Sequence, residues 1–359
     1  MLDKNIPTID DLTAGWFTDL LRVAGALDGA AAVASVDLSP FGSDESMMSS
    51  LFRAGLTYEP ADAGPESLIV KLASPSEEQR FIASMTKFYE REIRFYNEIA
   101  DQMSVATPRC YLAEINTDDQ SFVLVLEELA GRRQVDQIDG VGYDDAVVAL
   151  TELADFHVPF WGKNLDSEAE TFMRFDSPML QAVLPDMFDG QWATTRAKVV
   201  DVLCDEVLAM CDNRNQHTAD ILRGMHGIDT LCHGDFRSDN LLFGSNGTVL
   251  ALDYQLGSVC HGMTDVAYFI GQSVDDEVAA VRADALIKVY VDRLATHGID
   301  LDMGEAMDRY RAGLVFYLSI PVGMLALDAV PERALELGRV MLRRASAEIL
   351  RTGAHLQFG

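Results

Sequence analysis

One segment of this 359-residue sequence constrains the fold more than any other: Leu231–Gly257, which reads LCHGDFRSDNLLFGSNGTVLALDYQLG. Its string HGDxxxxN is made of His233, Gly234, Asp235 and Asn240. Two apolar runs, LLF and VLAL, flank the turn residues 244–247 and predict a β-hairpin whose second strand ends at Asp253. A loop followed by such a hairpin can bring the oxygen donors of Asp235, Asn240 and Asp253 to one point.

These residue types together suit phosphoryl transfer. An aspartate can orient an attacking hydroxyl and accept its proton, while an asparagine and a second aspartate can hold Mg²⁺ against a triphosphate, because hard cations prefer oxygen ligands. In the alternative interpretation, His233 and Asp235 only stabilise a turn and Asp253 only ends a strand. That alternative accounts for each residue alone, but not for their order and spacing together.

The segment resembles the catalytic loop and metal-binding strand of the aminoglycoside phosphotransferase and choline kinase-like superfamily, which is related to protein kinases. The form HGDFRSDNLLF is most similar to its ecdysteroid-kinase-like and acyl-CoA-dehydrogenase-associated branches. The resemblance implies that Asp235 is the catalytic base, that Asn240 and Asp253 bind Mg²⁺, and that His233 supports the loop. It also implies ATP as the phosphate donor and a small-molecule hydroxyl as the acceptor. Asp265, in the run GMTDVAYFI, either caps a helix or braces the catalytic loop.

The order of predicted elements indicates an α+β, protein-kinase-like fold of two lobes. Short β-rich runs between residues 31 and 73, one charged helix from about Glu77 to Ser104 and two further strands predict an N-terminal lobe with an antiparallel sheet and one main helix. The rest of the chain is mostly helical, and His157 and Trp161 share one helical face there, either in packing or as a pocket wall. The predicted lobes are residues 1–128, with a leading helix, and the larger residues 129–359.

A lone lysine in an apolar strand marks the nucleotide-binding part of the first lobe. Lys71 stands in the run ESLIVKLA, where a cation is costly unless it has partners. In kinase-like folds a strand lysine binds the α- and β-phosphates and is held by a helix glutamate. The resemblance favours Glu92 over Glu90, which points about 200° away around a helix with 3.6 residues per turn.

Two backbone segments complete the predicted ATP site. The run SFVLVLEEL resembles the hinge of the family, which implies that adenine bonds to the carbonyl of Glu127 and the N–H of Leu129. The loop SPFGSDESMMSS has one glycine where a phosphate-covering loop usually has several, so Gly42 and Ser43 are the residues expected to turn the chain over the phosphates.

Composition limits the partners and the location. The net charge is −29, and such a surface repels nucleic acid and anionic membranes. It fits either a saline habitat or a cationic acceptor. The five cysteines form no CxxC pair, which favours cytoplasmic thiols over disulfides or zinc. The acidic N-terminal residues do not resemble a signal peptide, and the longest apolar stretch, Ala312–Leu327, predicts a buried helix and no membrane span.

Two competing functions can be weighed against a small-molecule kinase. Only a short stretch separates Asp253 from Asp265, which leaves little room for an activation loop and argues against a protein kinase. A nucleotide-binding pseudokinase, acting as sensor or scaffold, stays open because of the glycine-poor loop. Four retained residues speak against it: Lys71, Asp235, Asn240 and Asp253. The acceptor class also stays open among aminoglycoside-like molecules, amino alcohols, and hydroxyacyl or other hydrophobic alcohols.

Overall fold

Short runs rich in β-branched and other apolar residues form five β-strands in the first part of the chain. The structure, a computed structural model, describes residues 6–41, 49–327 and 329–359. The strands are β1 (Ala32–Pro40), β2 (Ser49–Glu59), β3 (Ser67–Ala73), β4 (Cys110–Asn116) and β5 (Ser121–Glu127). They lie in the order β1-β2-β3-β5-β4, and all neighbours are antiparallel.

The leading helix, α1 (Ala14–Val23), covers one face of this sheet. Its N-terminus is capped by Thr13, whose hydroxyl oxygen accepts the N–H of Trp16 at 3.3 Å. The apolar stripe of α1, with Phe17 and Leu20, is buried in one cluster with side chains of β3 and β5 such as Val70. Lys71 follows Val70 in β3 and therefore points to the opposite face of the sheet.

The helix predicted over Glu77–Ser104 is interrupted. It consists of α2 (Glu77–Thr86) and α3 (Phe88–Arg94), followed by a π-helical turn at Phe95–Ile99. Between α2 and α3, Lys87 has φ +55°, a left-handed conformation that ends an α-helix. The carbonyl of Thr86 accepts a hydrogen bond from the guanidinium of Arg91. Because α3 starts anew after this break, its own inward face buries Glu92.

The chain divides into two units, which we call the first unit (Met1–Gly131) and the second unit (Arg132–Gly359). The second unit is mostly helical, so the predicted α+β fold class is confirmed. Its helices are α4 (Tyr143–His157), α5 (Pro178–Thr195), α6 (Asp205–Asn213), α7 (Thr218–Gly224), α8 (Met263–Ser273), α9 (Asp276–Thr296), α10 (Met303–Tyr317), α11 (Ser319–Ala326), α12 (Glu332–Thr352) and α13 (Ala354–Phe358).

Short strands in the second unit carry the predicted catalytic segment. They are β6 (Arg133–Gln134), β7 (Thr230–Cys232), β8 (Leu241–Phe243), β9 (Val249–Ala251) and β10 (Ser258–Cys260). The predicted hairpin is present: β8 and β9 pair antiparallel, with Leu241 opposite Ala251, and β6 pairs with β8 on the other side. A separate two-stranded ladder joins β7 to β10.

Helix α8 lies in the core of the second unit. Every one of its residues, MTDVAYFIGQS, is buried, and its polar residues Asp265 and Gln272 make buried hydrogen bonds. It packs closely on α10 because Gly313 has no side chain: a Cβ there would lie 2.9 Å from the Cβ of Ala267. The predicted buried helix at Ala312–Leu327 is the end of α10 followed by α11, with a break at Leu318. Among the helices that the structure describes, none is long and apolar enough to cross a membrane.

Candidate active site

The loop that follows β7 is held by one carboxylate. Asp265, on α8, accepts the backbone N–H of His233 at 2.7 Å and that of Gly234 at 3.0 Å. Asp265 is fully buried, and the N-cap position of α8 has no side-chain cap. Of the two roles that the sequence left open for Asp265, the structure shows the bracing of the loop.

A buried histidine, His157, supports this brace from α4. Its Nε2 lies 3.2 Å from Asp265 and its Nδ1 lies 2.7 Å from the hydroxyl of Tyr290. His157, Cys232 and Asp265 place their ligand atoms within 4.8 Å of one another. Both oxygens of Asp265 already accept backbone N–H groups, so we interpret this cluster as a hydrogen-bonded brace. His157 is therefore a buried structural residue. Trp161 contacts the ring of His261 edge-on.

His233 is buried and uses both ring nitrogens. Its Nδ1 accepts the backbone N–H of Asp235 at 3.2 Å, and its Nε2 lies 3.1 Å from the carbonyl oxygen of Leu252. These partners require a neutral ring with its proton on Nε2. Burial lowers the pKa of His233 against the opposing effect of Asp265, which agrees with this neutral form. His233 thus joins the loop to the end of β9.

Gly234 allows the loop to approach the following turn. Its φ is +78°, and a Cβ at this position would lie 1.9 Å from the carbonyl oxygen of Leu256. Both the left-handed backbone and the missing space exclude a side chain. The glycine of the HGD string is therefore a steric requirement of the loop.

The predicted base and the first predicted metal ligand touch each other. The Nδ2 of Asn240 donates to the carboxylate Oδ2 of Asp235 at 2.7 Å and to its backbone carbonyl at 2.9 Å. Because the amide nitrogen is engaged in this way, the amide oxygen is the atom that Asn240 can offer to a cation. Asp235 also contacts Arg237, whose Nε lies 3.2 Å from Oδ1. The sequence reasoning did not use Arg237, although it is a cation two residues after the predicted base.

The second predicted metal ligand, Asp253, lies at the same end of the hairpin. The backbone N–H of Leu252 donates to the carbonyl of Asn240 at 2.9 Å, which continues the β8–β9 ladder by one residue pair. Asp253 follows with φ +66°, an unfavourable conformation for a residue with a side chain. Such conformations cluster at functional sites. The amide oxygen of Asn240 and the carboxylate of Asp253 are oxygen donors of the kind that Mg²⁺ prefers, so these residue types fit the predicted ion.

In the first unit, Lys71 and Glu92 form a buried ion pair. The Nζ of Lys71 lies 2.8 Å from Oε2 and 3.0 Å from Oε1 of Glu92, and the two side chains are 8% and 2% exposed. The other glutamates of this helical segment are placed differently: Glu90 is only half-buried, and Glu98 pairs at the surface with Arg94. The structure therefore brings Lys71 together with the glutamate that the resemblance favoured.

The remaining predicted ATP contacts are backbone positions. Glu127 is the last residue of β5, exposed, and its N–H donates to the carbonyl of Arg109 at 2.9 Å. Leu129 follows outside the strand and is half-buried. Gly42 and Ser43 lie outside the described residues. For all four, the role in nucleotide binding stays a prediction.

The fold is protein-kinase-like and is similar to that of several solved phosphotransferase structures. It resembles a Ralstonia eutropha protein described as a candidate aminoglycoside phosphotransferase, with a TM-score of 0.56 and 13% identity over 96% of this chain and 98% of that one. It also resembles APH(2")-IIa in complex with streptomycin and ATP, with a TM-score of 0.51, 13% identity and 91% and 94% coverage. The macrolide 2'-phosphotransferase MphH of Brachybacterium faecium has a TM-score of 0.51, 15% identity and 91% and 97% coverage.

The sequence also identifies the family. The ecdysteroid kinase-like family model matches residues 43–303, which is more than half of the chain. The chain belongs to the ecdysteroid kinase-like family, one of the two branches that the segment at 231–257 resembles. A curated relative, the uncharacterized oxidoreductase dhs-27 of Caenorhabditis elegans, is 21% identical over 344 residues, or 85% of this chain. The chain spans only 41% of the length of that relative.

Proposed function

We propose that this protein is an ATP- and Mg²⁺-dependent phosphotransferase that moves the γ-phosphoryl group of ATP to a hydroxyl of a small molecule. The observation that carries the proposal is the contact of Asn240 with Asp235 at 2.7 Å, in a loop that the buried Asp265 holds by two backbone N–H groups. A base that is fixed in this way needs little reorganisation when the hydroxyl arrives. The family and the fold support the same reaction class.

In this proposal each side chain has one task. Asp235 orients the acceptor hydroxyl and takes its proton while the hydroxyl oxygen bonds to the γ-phosphorus. The bond from the γ-phosphorus to the bridging oxygen breaks, ADP leaves, and Asp235 returns the proton to solvent. Asn240 and Asp253 hold Mg²⁺, which neutralises charge on the phosphates.

Residues of the first unit bind the rest of ATP in this proposal. Lys71 binds the α- and β-phosphates, and Glu92 holds its ammonium group in place. The carbonyl of Glu127 and the N–H of Leu129 bind adenine. The acceptor is an aminoglycoside-like molecule, an amino alcohol, or a hydroxyacyl or other hydrophobic alcohol. APH(2")-IIa in complex with streptomycin and ATP is one relative in fold whose ligands fit this scheme. The proposed location of the protein is the cytoplasm, where ATP is present.

The test is ADP release from Mg-ATP across a panel of acceptors. The panel contains aminoglycosides, choline-like amino alcohols, sugars, macrolides, sterols and hydroxyacyl-CoAs, and the variant is Asp235→Asn. A matched control is Asp220→Asn, since Asp220 forms an exposed ion pair with Arg223 within helix α7. We expect acceptor-stimulated release in the wild type and in the control, and a loss of about 10²- to 10⁴-fold in Asp235→Asn.

Two outcomes would contradict the proposal. Equal ADP release by the wild type and by Asp235→Asn would exclude Asp235 as the base. If no acceptor stimulates release and calorimetry detects no binding of Mg-ATP, the protein is not an ATP-dependent phosphotransferase. A catalytically inactive pseudokinase is then favoured.

A further inference from the structure

Arg237 connects the proposed base to a set of buried polar groups. Its Nε lies 3.2 Å from Oδ1 and 3.3 Å from Oδ2 of Asp235. Its Nη1 donates to Oδ2 of Asp239 at 3.0 Å and to Oε1 of Gln137 at 3.1 Å. A guanidinium group is planar and rigid, so acceptors at both Nε and Nη1 fix its position and orientation.

Gln137 is fully buried and uses all of its polar groups. Its side chain accepts from Arg237 and donates through Nε2 to the carbonyl of Gln272 at 3.2 Å. Its backbone N–H donates to Oδ1 of Asp239 at 3.2 Å. If this amide turned over, its nitrogen would face Arg237 and its oxygen would face the carbonyl of Gln272, so the two bonds fix one orientation. Gln137 therefore presents its oxygen to Arg237 in a fixed place.

The backbone of Gln137 is held in turn by a residue 207 positions later in the chain. Arg344, on α12 and only 4% exposed, donates to the carbonyl of Gln137 at 2.5 Å and to that of Ile138 at 2.9 Å. Its Nε contacts Asp276 at the start of α9 at 3.1 Å. Such an arginine anchors a connector segment that has little regular structure of its own.

We propose that Arg237 is a positioning residue for the transfer reaction and that Gln137, anchored by Arg344, holds Arg237 in the orientation that aims the carboxylate of Asp235. The inference rests on the proposed function, since Asp235 must be the base. Asn240 holds one carboxylate oxygen, Oδ2, and Arg237 contacts both oxygens. With Arg237 replaced, the carboxylate loses the cation that contacts both of its oxygens, and the bond from Asn240 holds only Oδ2.

The first test is the kinetics of Arg237→Gln. The acceptor is the panel member that stimulates ADP release most. If no member stimulates release, the slow hydrolysis of Mg-ATP, with water as the acceptor, is measured instead. We expect kcat to fall about 10- to 100-fold, because a displacement of about 1 Å of a reacting group costs that much, while KM for ATP stays within about twofold. Arg237→Lys keeps the charge without the fork and is expected to recover part of the lost kcat. Arg293→Gln, which removes a comparable ion pair with Asp155 at 2.7 Å, is the control and should leave kcat unchanged.

The second test asks whether Gln137 acts through Arg237. Gln137→Met alone should lower kcat about tenfold. If Gln137 only holds Arg237, the double variant with Arg237→Gln should have the kcat of Arg237→Gln alone, not the product of the two losses. Thermal unfolding and calorimetric binding of Mg-ATP, both close to wild type, show that each variant is folded.

The outcomes separate this inference from the proposed function. If the wild type releases ADP no faster than Asp235→Asn, the proposed function fails and the role of Arg237 fails with it. If the wild type is active and Arg237→Gln is equally active, only the inference fails. Multiplicative losses in the double variant would overturn the link from Gln137 to Arg237.

Discussion

Replacing Glu92 with leucine tests whether the Lys71–Glu92 pair is as buried as the structure shows. The two side chains are 8% and 2% exposed and their charged atoms are 2.8 Å apart. Glu92→Leu leaves a buried ammonium group without this carboxylate, and removal of one partner of a buried pair costs about 3–5 kcal/mol. Since domains are stable by only about 5–15 kcal/mol, the first unit should lose a large part of its stability.

The double variant Lys71→Met/Glu92→Leu separates stability from function. An apolar pair of similar volume is often neutral, or more stable than the ion pair by about 1–4 kcal/mol. We therefore expect the double variant to unfold near the wild-type urea concentration, and to have lost acceptor-stimulated ADP release because no cation remains for the phosphates. A stable but inactive protein would assign Lys71 to the reaction and not to the fold.

The assay is urea denaturation, with hydrogen exchange of the β3 and α3 amides as a local measure of opening. The matched control is Glu98→Leu, since Glu98 pairs with Arg94 in the same helical segment but is 57% exposed. Loss of an exposed pair costs about 0–1 kcal/mol. If Glu92→Leu costs no more than Glu98→Leu, or if the double variant is as unstable as Glu92→Leu, the argument from burial is refuted.

Three further predictions concern the second unit. Gly234→Ala should abolish activity or folding because its Cβ would lie 1.9 Å from the carbonyl oxygen of Leu256. Gly247 also has a positive φ but has no atom within 4 Å of the position that a Cβ would take, so Gly247→Ala should cost only about 1 kcal/mol in urea denaturation. Similar effects of the two substitutions would contradict the steric argument. Burial, helped by a nearby arginine charge, lowers the pKa of His261 to about 3, so below its ordinary pKa the unfolded chain binds a proton that the folded chain does not. When the pH falls from about 7.5 to about 5.5, the free energy of unfolding of the wild type should therefore drop by about 1.4 kcal/mol more than that of His261→Asn. Equal losses in the two proteins would refute the lowered pKa of His261. Chelation of Mg²⁺ should stop ADP release, and Asp253→Asn should raise the Mg²⁺ concentration for half-maximal rate about 10- to 100-fold; an unchanged requirement would exclude Asp253 as a ligand.

Elements with strong local signals were predicted from the sequence. The LLF and VLAL runs around a glycine-containing turn form the β8–β9 hairpin, because short apolar runs and turn residues act over a few positions. The helix over 77–104 was predicted as one element and is interrupted at Lys87. A left-handed lysine has no sequence signal comparable to that of glycine, and here tertiary packing of α3 prevails over helix propensity.

The pairing of Lys71 with Glu92 could be anticipated only through the resemblance. Glu90, Glu92 and Glu98 all lie on one helical segment, and helical periodicity alone does not say which of them faces β3. The family pattern supplied that choice. The chemical roles of these residues, and of Asp235, Asn240 and Asp253, stay predictions for the experiments above.

The sequence by itself determined the family, the fold class and the candidate residues of the loop, because the HGDxxxxN string, the hairpin and the terminal aspartate lie within one short segment. Only the tertiary structure decided that Asp265 braces the loop, that His157 supports Asp265 from α4, and that Arg344 anchors the segment that holds Arg237. The physical reason is distance along the chain: a hydrogen bond between residues 108 or 207 positions apart leaves no periodic or local pattern in the sequence. Such partners are selected by the packing of buried polar groups, each of which must be satisfied once the helices enclose it.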